Sequence, residues 1–173
     1  AEPSIKEISS APNLNIKKGN VAFEEVSFSY PNTLEQAIKN INISIKGGTT
    51  AALVGHSGAG KSTIINLLPR FYDPKEGKIC IDGQNIRSIT LSSLRKNISM
   101  VSQDIILFDD TVRANIAYAN MNASKEQIKE ACDFAAATEF INKLPQKFET
   151  IIGENGIRLS GGQKQRISIA RAV

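Results

Sequence analysis

The chain has 173 residues, enough for one domain with a buried core. Its 41% apolar content excludes disordered and collagen-like classes. Lys plus Arg number 21 against 17 for Asp plus Glu, a net +4 that permits a polyphosphate, a nucleic acid or an anionic membrane face, and equally a plain solvated surface.

Residues 1–19 are rich in Pro, Ser, Asn and Lys and read as a linker or an extended arm. Val21 and Phe23 alternate, as do Val26, Phe28 and Tyr30; the phase slips at Glu24 and Glu25, which predicts a bulged strand. Ile41, Ile43 and Ile45 define a second strand ended by Gly47 and Gly48. The continuous apolar run over residues 50–54 predicts a short strand buried on both faces. After a glycine-rich turn, a helix of two to three turns begins near Gly60, and Pro69 ends or bends it. Residues 78–82 alternate as a strand closed by Asp82-Gly83, with Cys80 half-buried within it. Residues 98–101 form another short strand running into Gln103. Ser124 with Gln127 makes a capping box, and Ile128, Ala131, Cys132 and Ala135 share one helical face. A further helix covers residues 138–144, and an amphipathic one starts near Gly161 and reaches Val173 without a stop signal.

Cys80 and Cys132 have neither CxxC spacing nor a neighbouring histidine, which argues against zinc and against a disulfide, as in a reducing compartment. No run of about 18 apolar residues occurs, and no signal peptide is visible.

Gly55-His56-Ser57-Gly58-Ala59-Gly60-Lys61-Ser62 matches the pattern GxxxxGK[ST] between an expected strand and an expected helix. Glycines let the backbone curl so that consecutive N–H groups face phosphate oxygens, and the helix N-terminus adds its positive end. Lys61 supplies a full charge to β- and γ-phosphates, and the Ser62 hydroxyl suits Mg²⁺, which prefers oxygen. His56, the one histidine, falls at a variable position of the pattern and reads as an exposed loop residue. The plain alternative is a glycine-rich turn without a ligand.

About a hundred residues later stands Leu159-Ser160-Gly161-Gly162-Gln163. Alone, Ser-Gly-Gly before a helix is either a second anion site or a flexible loop. A single-site nucleotide enzyme has no need of two such cradles, which suggests that one serves a second copy.

The two motifs, in this order and at this separation, resemble the ATP-binding-cassette family, and the pentapeptide at 159–163 resembles its signature. The likeness runs from about Gly19 to Val173. Phe28-Ser29-Tyr30-Pro31 resembles the adenine-stacking segment, and Val101-Ser102-Gln103, followed by Leu107-Phe108, resembles the glutamine loop. Residues 110–116 and 150–156 resemble the exporter branch, nearest to lipid- and multidrug-exporting half-transporters.

That resemblance implies a P-loop NTPase (RecA-like) α/β core with an antiparallel β portion, a helical subdomain near residues 108–160 and an incomplete C-terminal side. Residues 1–19 would be the tether from a membrane domain and 20–173 the nucleotide-binding domain. Tyr30 would stack on adenine; Ser57, Gly58, Ala59, Gly60, Lys61, Ser62 and Thr63 would wrap the phosphates of ATP. Ser62 and Gln103 would attend Mg²⁺, with Gln103 also touching the attacking water and joining Lys61 in catalysis. Ser160, Gly161, Gly162 and Gln163 would close over nucleotide held by a second, head-to-tail copy, and Glu154 would sit near the membrane domain. Tyr30 as a strand-end core residue, Gln103 as a solvated turn residue and Glu154 as a surface charge stay open as alternatives.

The implied activity is ATP-driven export at the cytoplasmic face of a membrane, with no nucleic-acid partner. The family's apolar strand ending in Asp-Glu, and its switch histidine, find no match in these residues. The expectation is therefore a nucleotide-binding fragment without family-typical turnover, whose 50–54 segment lacks its neighbouring strands. A soluble cassette ATPase acting on DNA or the ribosome is the other class; the absence of a zinc cysteine set and of a coiled-coil insertion speaks against it.

Overall fold

A computed structural model describes residues 5, 8, 10–31, 33, 35–154 and 157–173. The chain forms two compact units, residues 1–98 and 99–173.

The first unit is built on an antiparallel sheet. Strands β1 (Val21–Phe28), β2 (Ile38–Ile45), β3 (Glu76–Ile81) and β4 (Gln84–Asn85) lie in the order β2-β1-β3-β4. The phase slip read at Glu24 and Glu25 is a bulge: the β1–β2 register shifts between Phe23 and Val26, and Glu25 has φ 51°. Gly77 of β3 lies opposite, at φ 77°, and a Cβ there would stand 2.3 Å from the Glu24 carbonyl oxygen, so only glycine lets β3 pass the bulge. Asp82 and Gly83, both at positive φ, make the two-residue turn joining β3 to β4. Helix α1 (Lys61–Leu67) stops ahead of Pro69, as the proline requires, and α2 (Leu91–Lys96) is capped by Thr90. Phe23, Val26, Phe28, Ile79, Ile81, Leu67, Ile86 and Leu94 form the core.

Two strand assignments are corrected. Residues 50–54 and 98–101 form no regular secondary structure and belong to no ladder among the described residues, and Val54 is 89% exposed. An apolar run states a preference for burial; a strand also needs a neighbour to pair with, and none lies beside these segments. The expectation that 50–54 lacks neighbouring strands agrees with this geometry.

The arm preceding β1 is anchored. Asp82 accepts the N–H groups of Lys17, Lys18 and Gly19 on one carboxylate oxygen, at 2.7, 2.8 and 2.9 Å, and that of Asn20 on the other at 2.9 Å. These bonds, led by that from Gly19, hold the Asp82 carboxyl far below the usual carboxylate range. Gln84 exchanges two bonds with the Asn15 backbone, and Leu14 is buried.

The second unit is helical. Strand β5 (Asp110–Thr111) leads into α3 (Val112–Ala117), then α4 (Lys125–Phe134) and α5 (Thr138–Asn142); β6 (Ile151–Ile152) pairs back with β5, and α6 (Gly161–Ala172) follows. The capping box at Ser124 and Gln127 is formed, and Ile128, Cys132 and Ala135 bury the face that the spacing gave them. Cys80 is buried rather than half-buried, and both thiols are free. Burial pushes the Cys132 thiol up to about 11 and that of Cys80 upward as well, which suits packing rather than reactivity. Among the described residues no helix is long and apolar enough to cross a membrane. Asn155 and Gly156, within the expected exporter-type loop, lie outside the described residues, as does part of the 1–19 arm.

Candidate nucleotide site

In the first unit the glycine pattern folds as a tight loop. Residues 56–60 turn between the irregular 50–54 segment and α1, closed by the Ala59 N–H on the His56 carbonyl at 3.2 Å. Gly60 precedes α1 at φ 81°, and a Cβ there would lie 2.7 Å from the Ala37 carbonyl oxygen. Glycine is therefore demanded at that turn by both dihedral and space. No side chain caps α1, so its first N–H groups keep their donor capacity.

The Lys61 ammonium curls over this loop and donates to the carbonyls of Gly55 at 2.8 Å and His56 at 2.7 Å. These acceptors are neutral, and among the described residues no carboxylate pairs with Lys61. A full positive charge is thus held on the carbonyls of an exposed glycine loop at the start of a helix, an arrangement that fits a polyphosphate. Ser57, Gly58, Ala59 and Ser62 are exposed around it, and His56 is exposed as its motif position implied. No group of three or more His, Cys, Asp or Glu that could hold a metal exists among the described residues. Any Mg²⁺ here would rest on the Ser62 hydroxyl and on oxygens brought by the ligand.

Thr63 is the exception in the loop set: it is 5% exposed, and its hydroxyl lies 3.0 Å from that of Tyr30. Tyr30 is half-buried and lines a cleft of about 350 Å³ together with Phe28, Pro31, Tyr72, Asp73 and Lys75. Sequence reasoning missed the Tyr30–Thr63 bond, since nothing local connects positions 33 apart.

In the second unit the residues of the other motif cap α6. The Ser160 hydroxyl accepts the Gln163 N–H at 3.3 Å, and the Gln163 side chain accepts the Ser160 N–H at 2.9 Å, a reciprocal capping box. The signal was present, because Ser160 and Gln163 have the same spacing as Ser124 and Gln127. A Cβ added at Gly161 or Gly162 would meet nothing within 4 Å among the described residues. The chain's own packing therefore does not demand glycine at either place. Gln103 is exposed at a bend where the Ser102 hydroxyl donates to the Asp104 carbonyl at 2.7 Å. Glu154 is exposed and lines a cleft of about 570 Å³ with residues 105–107, Gly153, residues 157–159 and Lys164.

Sequence reasoning also missed Asn115, which is fully buried. Its side-chain amide donates to the Phe108 and Thr111 carbonyls at 3.0 Å each and accepts the Phe108 N–H at 2.9 Å. Arg171 of α6 adds bonds to the Asn115 carbonyl at 2.8 Å, to its amide oxygen at 2.9 Å and to the Ile106 carbonyl at 3.1 Å. The segment after Gln103 is thereby tied to α3 and to the helix that Ser160 caps.

A glycine loop crossed by a lysine held on its carbonyls, on a mixed α/β scaffold with an antiparallel sheet and a helical unit, defines a P-loop nucleotide-binding domain. The model of the ABC transporter family matches residues 38–173, and the chain belongs to that family. It is 54% identical over 156 residues to the ATP-dependent lipid A-core flippase of Escherichia coli K12, covering 90% of this chain and 27% of that protein. It is 52% identical over 157 residues to ABC transporter B family member 2 of Dictyostelium discoideum, covering 90% of this chain and 11% of that protein. A bacterial Atm1-family ABC exporter solved with ATP bound superposes with a TM-score of 0.93 at 44% identity, covering 97% of this chain and 29% of that one. The chain thus has the fold of an ABC exporter nucleotide-binding domain, and it spans between 11% and 29% of the length of these proteins.

Proposed function

We propose that this chain binds ATP with Mg²⁺ and serves as the energy-coupling domain of a membrane exporter. The observation that carries the reading is the Lys61 ammonium, which among the described residues is held over the 55–60 loop by neutral carbonyls alone. In the proposed complex, the loop N–H groups and Lys61 bind the phosphates, Tyr30 stacks on the base, and Ser62 and Gln103 attend the metal. Mg²⁺ would supply charge neutralisation at the transferring phosphoryl group. Gln103 would also orient water.

Ser160, Gly161, Gly162 and Gln163 would close over nucleotide held by a second copy, head to tail. Open space around both glycines supports this, because their smallness is not required within the chain. The membrane domain is the further partner, and a cytoplasmic membrane face the location; the flippase and exporter relatives support both. The sequence contains no Asp-Glu pair, and its one histidine is in the loop, so the 173 residues alone are proposed to bind ATP without family-typical turnover.

Equilibrium dialysis of ATP with and without Mg²⁺, paired with phosphate release, tests this. Saturable, metal-assisted binding with negligible turnover is expected. Absence of saturable binding at millimolar ATP contradicts the reading.

A further inference from the structure

Tyr72 belongs to neither glycine motif. It lies between α1 and β3, half-buried, and lines the same 350 Å³ cleft as Tyr30. Its ring meets Tyr30 edge-on, with centroids 5.2 Å apart and planes at 86°. Phe28 meets Tyr30 in the same manner at 5.0 Å and 81°, and packs on Tyr72 at a tilt, at 5.4 Å and 46°. Tyr30 is therefore bounded by two rings nearly perpendicular to its own, while its hydroxyl is held by Thr63.

The backbone carrying Tyr72 is equally constrained. Arg70, 3% exposed, holds Asp73 by two N–H bonds of 2.8 and 3.2 Å, and Arg87 approaches the same carboxylate at 3.4 Å. The Lys75 N–H donates to the Ser27 carbonyl of β1 at 2.9 Å. Tyr72 thus reaches Tyr30 from a rigid bracket rather than from a free loop.

A ring at a strand end has two soft torsions, and freezing them on binding costs affinity. Edge-to-face neighbours remove that freedom in advance. We propose that Tyr72 is a positioning residue for base recognition, holding the Tyr30 ring in the plane on which a purine stacks. This rests on the reading of Tyr30 as the base platform. Its consequence is selective: losing the Tyr72 ring weakens the part of the affinity that depends on the base and spares the part that depends on phosphate.

The test compares ATP with inorganic tripolyphosphate, which carries phosphates without a base. Both are titrated with Mg²⁺ into the full 173-residue chain and into Tyr72→Ala, Tyr72→Leu, Tyr72→Phe and Tyr30→Ala. Tyr72→Leu keeps more of the apolar bulk than alanine does, in case the alanine variant fails to fold. The expected result is ATP affinity about fivefold weaker in Tyr72→Ala or Tyr72→Leu, unchanged tripolyphosphate affinity, and parent-like behaviour in Tyr72→Phe. Tyr30→Ala should lose about tenfold or more for ATP alone. Parent-like ATP affinity without the Tyr72 ring, alongside a loss in Tyr30→Ala, overturns the proposal only. Equal weakening for both ligands shows Tyr72 to be merely structural and overturns it too. Unchanged ATP affinity in Tyr30→Ala overturns the platform reading and the proposal together.

Discussion

The hydroxyl of Tyr30, two residues past β1, stands 3.0 Å from the hydroxyl of buried Thr63 in the first turn of α1. One bond joins the proposed base platform to the proposed phosphate cradle. Tyr30→Phe leaves the Thr63 hydroxyl without that partner, and Thr63→Val does the converse, so each should cost about 1 kcal/mol of stability. The double variant should cost scarcely more than either alone, because the interaction can be lost only once. Urea unfolding of the four proteins measures this; simple additivity would show that the two hydroxyls are not coupled.

Asn115 should prove the most sensitive polar position in the second unit. Asn115→Ala removes the acceptor of the Phe108 N–H, a donor to the Phe108 and Thr111 carbonyls, and one of the three acceptors of the Arg171 guanidinium. A loss of about 3 kcal/mol is expected in denaturant unfolding. A loss under about 1 kcal/mol would mean that the neighbouring groups find other partners.

Asp82 predicts a pH dependence. Its folded carboxyl titrates below the ordinary 3.8, so its contribution is complete above that value and disappears as pH falls through the folded one. Asp82→Asn should therefore lower the melting temperature by a constant amount from about pH 8 to pH 5, with the gap to the parent closing below about pH 4. A gap that widens on acidification would contradict the role given to the four N–H bonds.

Ser160→Ala should cost about 1 kcal/mol, because it removes the acceptor for the Gln163 N–H at the start of a 12-residue helix. Ser160→Thr should retain most of it. Thermal melts of the three proteins check this, and parent-like stability in the alanine variant would refute the cap.

What the sequence made legible was local. The bulge at Glu24 and Glu25 showed as a slipped alternation, the stop before Pro69 as backbone chemistry, and the Ser124 cap as a three-residue spacing. Residues 50–54 were misread because apolarity reports a wish for burial and says nothing about whether a neighbouring strand is there. The arm before β1 has no periodicity to reveal that Asp82, more than sixty positions on, gathers its N–H groups. Asn115 and Arg171, 56 positions apart, meet only in the folded unit. Of the candidate site, the loop and Lys61 could be read from spacing plus elementary electrostatics. Roles for Tyr30 and Gln103 came from family resemblance, and their chemistry needs a ligand to be seen.

The most direct test of the account is calorimetric titration of MgATP into the parent chain, Lys61→Ala and Lys61→Arg, with folding of each confirmed by circular dichroism. If the lysine charge over the 55–60 loop is the anchor for phosphate, Lys61→Ala should lose at least about tenfold in affinity. Lys61→Arg should fall between it and the parent, keeping the charge but not the compact ammonium. A folded Lys61→Ala chain that binds ATP as tightly as the parent would contradict the assignment of this loop as the nucleotide site.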